Sequence, residues 1–152
     1  EFTTNEDGKL RYTIELFMEC YDDAEEVITK RQDGKVQIVL ENIYFDLNKW
    51  DIKPDAARIL DVLIELLNKY PEMYIEIDAH TDSRATATYN LMLSDRRAKA
   101  TLEYLVKNGI NRNRLKSKGY GESQPLIECG KTRICTEQEH SINRRCEFII
   151  LK

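Results

Sequence analysis

Two short stretches of this chain carry residue types that can hold a charged ligand: His80-Thr81-Asp82 and, eight residues after Asp82, Asn90-Leu91-Met92-Leu93-Ser94-Asp95-Arg96-Arg97-Ala98. A carboxylate leaving a strand, set opposite guanidiniums entering a helix, suits a ligand that bears both an amine and an acid. That is a recognition site rather than a reaction centre. Ser94 reads as a helix N-cap, which puts Arg96 and Arg97 in the first turn. Free N–H groups and the positive end of the helix dipole disfavour cations there by on the order of several tenths of a kcal/mol. An anion is expected to offset that cost. The competing reading places these arginines on a solvated face beside Asp95, and makes Asp82 a turn carboxylate that satisfies backbone donors.

Enzyme chemistry has a narrower footing. Asp78, His80 and Asp82 recur at period two, so they could share one strand face as a metal site or an acid–base group. No activated-nucleophile pattern or phosphate-cradling loop accompanies them, and His80 and His140 are the only histidines. His80 is therefore expected to bond neighbouring backbone at a strand end. Gly119-Tyr120-Gly121-Glu122 reads as a strand-ending turn, since it lacks the spacing and the lysine of a phosphate loop. Cys129 and Cys135 suit a disulfide that closes a small loop with no core of its own. Zinc held by Cys129, Cys135, His140 and Cys146 is the alternative, although Cys-x5-Cys is wider than usual. Cys146 reads as a buried thiol, and Cys20 has no evident partner.

Composition bounds the rest. The 152 residues fit one domain of ordinary size, and 41% apolar residues supply its core. A net charge of −4 argues against nucleic acid, which draws on a basic surface. No apolar run is long enough to cross a bilayer and Glu1-Phe2-Thr3-Thr4 is no signal peptide, so the segment reads as soluble and as part of a longer precursor. The even number of cysteines permits an oxidising compartment. No cofactor is expected.

The elements that must position the site alternate along the chain. Residues 1–33 read as the tail of a preceding module or a linker, with one strand in which Leu10, Tyr12, Ile14 and Leu16 alternate with polar residues. It ends at the turn Asp33-Gly34, and residues 34–152 form the domain. Val36 to Phe45 reads as a β-rich run. Pro54 suits the first turn of a helix that carries Ile59, Leu60, Leu63, Ile64, Leu66 and Leu67 and stops at Tyr70-Pro71. Met73 to His80 is a core strand with Ile75, Ile77 and Ala79 on one face and Glu76, Asp78 and His80 on the other, so helices should cover one side only. A second long helix runs from Ser94 to Asn108-Gly109. Leu115–Tyr120 and Arg145–Leu151 are further strands, with a turn of helix near residues 137–142. The order β-α-β-α-β, loop with short helix, β implies an α/β two-layer sandwich: a mixed sheet with two main helices on one face.

At these residues the chain resembles the OmpA-like peptidoglycan-binding domain of outer-membrane proteins, Pal lipoproteins and flagellar stator proteins. The resemblance covers about residues 36 to 151. It rests on Ile43-Tyr44-Phe45-Asp46, His80-Thr81-Asp82, Tyr89-Asn90-x-x-Leu93-Ser94-x-x-Arg97-Ala98, Tyr104-Leu105 with Gly109-Ile110, Gly119-Tyr120-Gly121-Glu122-x-x-Pro125 and Asn143-Arg144-Arg145-x-Glu147. The cysteine loop with Glu139-His140 further resembles OmpA-family proteins of Bacteroidetes, in which other modules precede this domain.

The resemblance implies a binding module without chemistry. Its ligand would be the diaminopimelate residue of the peptidoglycan stem peptide, held non-covalently in the periplasm by part of an outer-membrane-associated protein. Asp82 would take the ammonium of diaminopimelate and Arg97 its carboxylate. Thr81 and Asn90 would add hydrogen bonds, while Phe45, Asp46 and Leu93 would shape the pocket and Arg144 would serve its rim or the structure alone. Ala85 stands where the family usually has Gly, and a left-handed conformation there would cost on the order of 1 kcal/mol. Two other functions compete: a hydrolase of the same polymer using Asp78, His80 and Asp82, and a structural domain whose arginines meet a protein partner.

Overall fold

The computed structural model describes residues 28–151. The strand expected at Leu10–Leu16 and Cys20 lie outside the described residues. Five strands form one mixed sheet in the order β1-β2-β5-β3-β4. They are β1 (Ile28–Lys30), β2 (Val36–Ile38), β3 (Ile75–His80), β4 (Leu115–Gly121) and β5 (Arg145–Ile150). The β3–β4 pair is parallel and the other pairs are antiparallel. Among the described residues three α-helices accompany the sheet: α1 (Pro54–Lys69), α2 (Ala87–Lys107) and α3 (Glu137–Asn143). A 3-10 turn at Arg112–Arg114 leads into β4.

Register explains the core. Ile75 and Ile77 of β3 sit opposite Ile150 and Phe148 of β5, which sit opposite Val36 and Ile38 of β2, and Ile38 faces Ile28 of β1. Side chains alternate across a strand, so these residues share one face. Leu60, Leu63 and Leu67 of α1 and Ala98, Leu102 and Leu105 of α2 join them in one buried cluster. The expected two-layer sandwich, with two main helices on one face, is the observed architecture.

Two expectations near the N-terminal edge need correction. The turn at Asp33-Gly34 is not a boundary: Gly34, at φ +86°, belongs to the hairpin that joins β1 to β2, so residues 28–30, assigned to the preceding tail, belong to the sheet. The β-rich run from Val36 ends at Ile38. Residues 39–46 form no strand, although Ile43 is buried and Phe45 packs against the core.

Helix α1 starts as expected, with Pro54 in its first turn, and ends at Lys69. Helix α2 starts earlier than Ser94. Its N-cap is Thr86, whose hydroxyl accepts from the Tyr89 N–H at 3.2 Å. Ser94 is fully buried inside the helix; its hydroxyl donates to the Leu91 carbonyl at 3.0 Å and accepts from the Gly121 N–H at 2.8 Å. The helix backbone lies directly on β4 here: a Cβ on Gly119 would sit 2.2 Å from the Asp95 nitrogen, and one on Gly121 would sit 3.0 Å from the Leu91 nitrogen. Only glycine permits that approach.

Gly119→Ala should therefore destabilise the domain by about 3 kcal/mol or more, because neither backbone can yield. Gly130→Ala has no atom within 4 Å of the added carbon, and should stay within about 0.5 kcal/mol of the parent in urea unfolding.

Candidate functional site

The site forms where β3 ends. A register shift between Ala79 and His80 pairs His80 with Gly121, and the Thr81 N–H donates to the Gly121 carbonyl at 2.9 Å. A bulge of this kind bends a strand and re-aims the residues beyond it. Thr81 and Asp82 consequently line a cleft of about 480 Å³. Phe45, Asn90, Leu93, Arg97 and Arg144 line it too, so seven of the residues expected from the sequence meet there. Asp46 does not: its carboxylate pairs with Lys53 at 3.0 Å, and it serves the site only through its backbone carbonyl.

Asp82 is held on three sides. Its Oδ1 accepts from the Arg84 N–H at 3.0 Å, and its Oδ2 accepts from Arg84 Nη2 at 2.8 Å and Arg144 Nη1 at 2.9 Å. Burial raises its pKa, but the two guanidiniums outweigh that and hold it at about 2. The backbone contact is the turn role weighed from the sequence, so Asp82 does that work as well. Glu137, on α3, accepts from Arg84 Nη1 and Arg144 Nη2, both at 2.7 Å. Two carboxylates and two guanidiniums thus alternate in a closed ring. Burial lowers the Arg144 pKa, and its pairs with Asp82 and Glu137 more than reverse this.

Arg97 is placed differently. It lies in the middle of α2 rather than its first turn, so the helix-dipole argument does not apply to it or to Arg96. Arg97 Nε donates to the Lys49 carbonyl at 2.9 Å and Nη2 to the Asp46 carbonyl at 3.2 Å, while its guanidinium lies 5.0 Å from the Phe45 ring centroid. Asn48, at φ +58°, shapes the turn that presents these carbonyls. Among the described residues Arg97 has no carboxylate partner, and burial pulls its pKa below the ordinary value. Arg96 instead covers the Trp50 ring at 4.5 Å, outside the cleft.

Asn90 acts as a brace. It is buried, and its Nδ2 donates to the Asp82 carbonyl at 3.1 Å, the Ala85 carbonyl at 3.4 Å and Glu122 Oε1 at 3.1 Å. Those bonds fix both ends of the Asp82 loop. Thr81 Oγ1 is buried and has no hydrogen-bond partner among the described residues. Ala85 is not at positive φ, so replacing glycine there costs no backbone strain.

His80 does not bond backbone. Its Nε2 meets Glu147 Oε1 at 3.0 Å, and its ring stacks on Tyr120 at 5.1 Å. Asp78 faces Glu147 across β5 with Glu76 beside it, and burial plus these like charges raise its pKa to about 7. Asp78 and His80 therefore both face Glu147, while Asp82 is engaged apart from them by Arg84 and Arg144. Among the described residues, no group of three or more His, Cys, Asp or Glu is arranged to hold a metal. Cys129 and Cys135 form a disulfide, with Cα atoms 5.6 Å apart, which removes the thiolates the zinc reading needs. Cys146 is a free thiol that burial pushes up to about 12.

Sequence reasoning missed Arg84 and Glu137 and underrated Arg144. A signal existed: Glu137 and Arg144 are seven residues apart, one helical face, and Arg84 is two residues beyond Asp82.

Comparison with known proteins fits this geometry. Residues 44–134 match the OmpA family. The chain belongs to that family. A peptidoglycan-associated lipoprotein of Rhizobium meliloti is 42% identical over 99 residues, covering 65% of this chain and 56% of that protein. One from Brucella melitensis is 38% identical over 89 residues, covering 59% and 53%. The chain thus spans about half the length of these relatives. Among solved structures, a putative MotB-like protein from Desulfovibrio vulgaris superposes with a TM-score of 0.70 at 26% identity, over 92% of this chain and 93% of that one. The peptidoglycan-associated lipoprotein of Burkholderia pseudomallei gives 0.63 at 25% identity, over 72% and 88%.

The shifted carboxylates fix how stability depends on pH. Asp82 and Glu147 fold with values of about 2, below their ordinary 3.8 and 4.5, so the stability they supply is present above those ordinary values and is lost as pH falls toward 2. Asp78 is shifted upward from 3.8 to about 7, so its contribution is lost as pH rises through that interval. Asp78→Asn should flatten the upper slope in urea unfolding and be more stable than the parent at pH 8 by on the order of 1 to 3 kcal/mol.

Proposed function

We propose that this segment is a cell-wall-binding module that holds peptidoglycan through the diaminopimelate residue of its stem peptide. The observation that carries this reading is the unequal treatment of the cleft's charges. Asp82, Glu137, Arg84 and Arg144 neutralise one another, while Arg97 faces the same cleft with only carbonyls and an aromatic ring around it. A ligand carboxylate satisfies Arg97 by charge-assisted hydrogen bonds, and an ammonium on the same ligand meets Asp82. Leu93 and Phe45 give the aliphatic chain between them an apolar wall.

The relatives' names support the polymer as partner, since two of them are called peptidoglycan-associated lipoproteins. The module is not an enzyme, and the engagement of Asp78 and His80 with Glu147, apart from Asp82 on its two arginines, gives a hydrolase no working centre. No helix among the described residues is long and apolar enough to cross a membrane. On this reading the module works at the wall, in the periplasm, as part of an outer-membrane-associated protein, and the Cys129–Cys135 disulfide suits that oxidising compartment.

Cosedimentation with diaminopimelate-type sacculi, and calorimetry with free meso-diaminopimelate, test the reading. Asp82→Asn and Arg97→Ala should each weaken binding by about 2 to 5 kcal/mol with the circular dichroism spectrum unchanged. Variants that both bind like the parent would remove the site assignment, and release of soluble muropeptides would restore the hydrolase.

A further inference from the structure

The Asp82 carboxylate is not open to a ligand in this structure. Its Oδ2 already holds two guanidiniums, from Arg84 at 2.8 Å and Arg144 at 2.9 Å. An incoming ammonium therefore meets two like charges at the atom it must approach. The two arginines are not equally fixed. The Arg84 side chain is 50% exposed and Arg144 29%. Arg144 follows directly on α3, and its carbonyl accepts from Asn42 Nδ2 at 2.8 Å, whereas Arg84 rides on the short loop between β3 and α2.

Arg84 also has somewhere to go. Its Nη1 is bonded at 2.7 Å to Glu137, an exposed carboxylate on a different element. A swing of the guanidinium away from Asp82 keeps that ion pair. The Arg84 N–H contact to Asp82 Oδ1 comes from the backbone and survives the motion, so the carboxylate stays oriented while its outer face is cleared.

We propose that Arg84 is a displaceable plug, which occupies in the empty site the place of the ligand's ammonium on Asp82 and withdraws onto Glu137 when the ligand binds. This rests on the reading that Asp82 receives an ammonium from diaminopimelate. The plug makes the site selective: a ligand with an acid but no amine satisfies Arg97 yet cannot displace Arg84. It also supplies, beside Arg144, one of the two guanidiniums that compensate the partly buried Asp82 carboxylate when no ligand is present.

Calorimetry with two probes, meso-diaminopimelate and pimelate, the same seven-carbon diacid without amines, separates this inference from the reading beneath it. In the parent, meso-diaminopimelate should bind and pimelate bind more weakly. Arg84→Ala should tighten meso-diaminopimelate by about threefold to tenfold, the scale of one exposed ion contact, and leave pimelate no tighter. Glu137→Gln should weaken meso-diaminopimelate, because the withdrawn Arg84 loses its receiver, and this effect should vanish in the Arg84→Ala background. Weaker or unchanged binding of meso-diaminopimelate by Arg84→Ala, an equal gain for pimelate, or a Glu137→Gln effect that persists without Arg84 would overturn the plug while leaving the site assignment standing. Failure of the parent to bind meso-diaminopimelate at all would overturn the assignment itself, and the plug with it. Thermal melts of each variant, expected near the parent since both side chains are half-exposed or more, keep misfolding from being read as loss of affinity.

Discussion

The direct seating of α2 on β4 is the constraint on which the site depends. At Gly119 and Gly121 no side chain separates helix from strand, and the buried Ser94 hydroxyl bonds the Gly121 N–H. Because β4 also pairs with β3 through the bulge at Ala79 and His80, the contact fixes the position of Arg97 on the helix relative to Asp82 at the strand end. A side chain inserted at this seam would move one charge away from the other. Such supports matter because a charged constellation recognises a ligand only when it is held close to its working geometry.

The charges are handled in two distinct ways at the end of the sheet. Toward the cleft, Asp82 and Glu137 share Arg84 and Arg144, and Arg97 meets only the Lys49 and Asp46 carbonyls and the Phe45 ring. Next to it, Glu147 accepts from His80, Arg145 and Arg31 in a second network beside Tyr120, with Asp78 facing Glu147. That network uses up His80 as a structural group. Proximity in sequence thus conceals a division of labour: Asp78 and Asp82 lie on neighbouring stretches of one strand and its exit, but one is raised to about 7 by burial and like charges and the other held at about 2 by arginines.

Much of this was legible in the sequence. Period-two alternation identified β3, Pro54 and Asn108-Gly109 marked helix ends, and the opposite charges of Asp82 and Arg97 singled out two residues that line one cleft. The errors have physical causes. Ser94 has the chemistry of an N-cap, but its hydroxyl is spent inside α2 on Gly121, and Thr86 offers the same capping chemistry two helical turns earlier, at the exit of the Asp82 loop. The run Val36 to Phe45 has strand composition, yet the ladder ends at Ile38 and the residues after it wall the cleft instead. Glu137 and Arg84 were missed because the two local spacings, Arg84 two residues beyond Asp82 and Arg144 seven beyond Glu137, are joined into a ring only by ion pairs that reach across 53 and 62 residues of sequence.

The central claim is that one ligand bridges Asp82 and Arg97. The most direct measurement is a crystal structure of the protein soaked with meso-diaminopimelate. The account predicts a ligand carboxylate within hydrogen-bond distance of the Arg97 guanidinium and the ammonium of the same molecule on Asp82, between Phe45 and Leu93. A ligand bound in the reverse orientation, or bound elsewhere with Arg97 still facing only the Asp46 and Lys49 carbonyls, would contradict it.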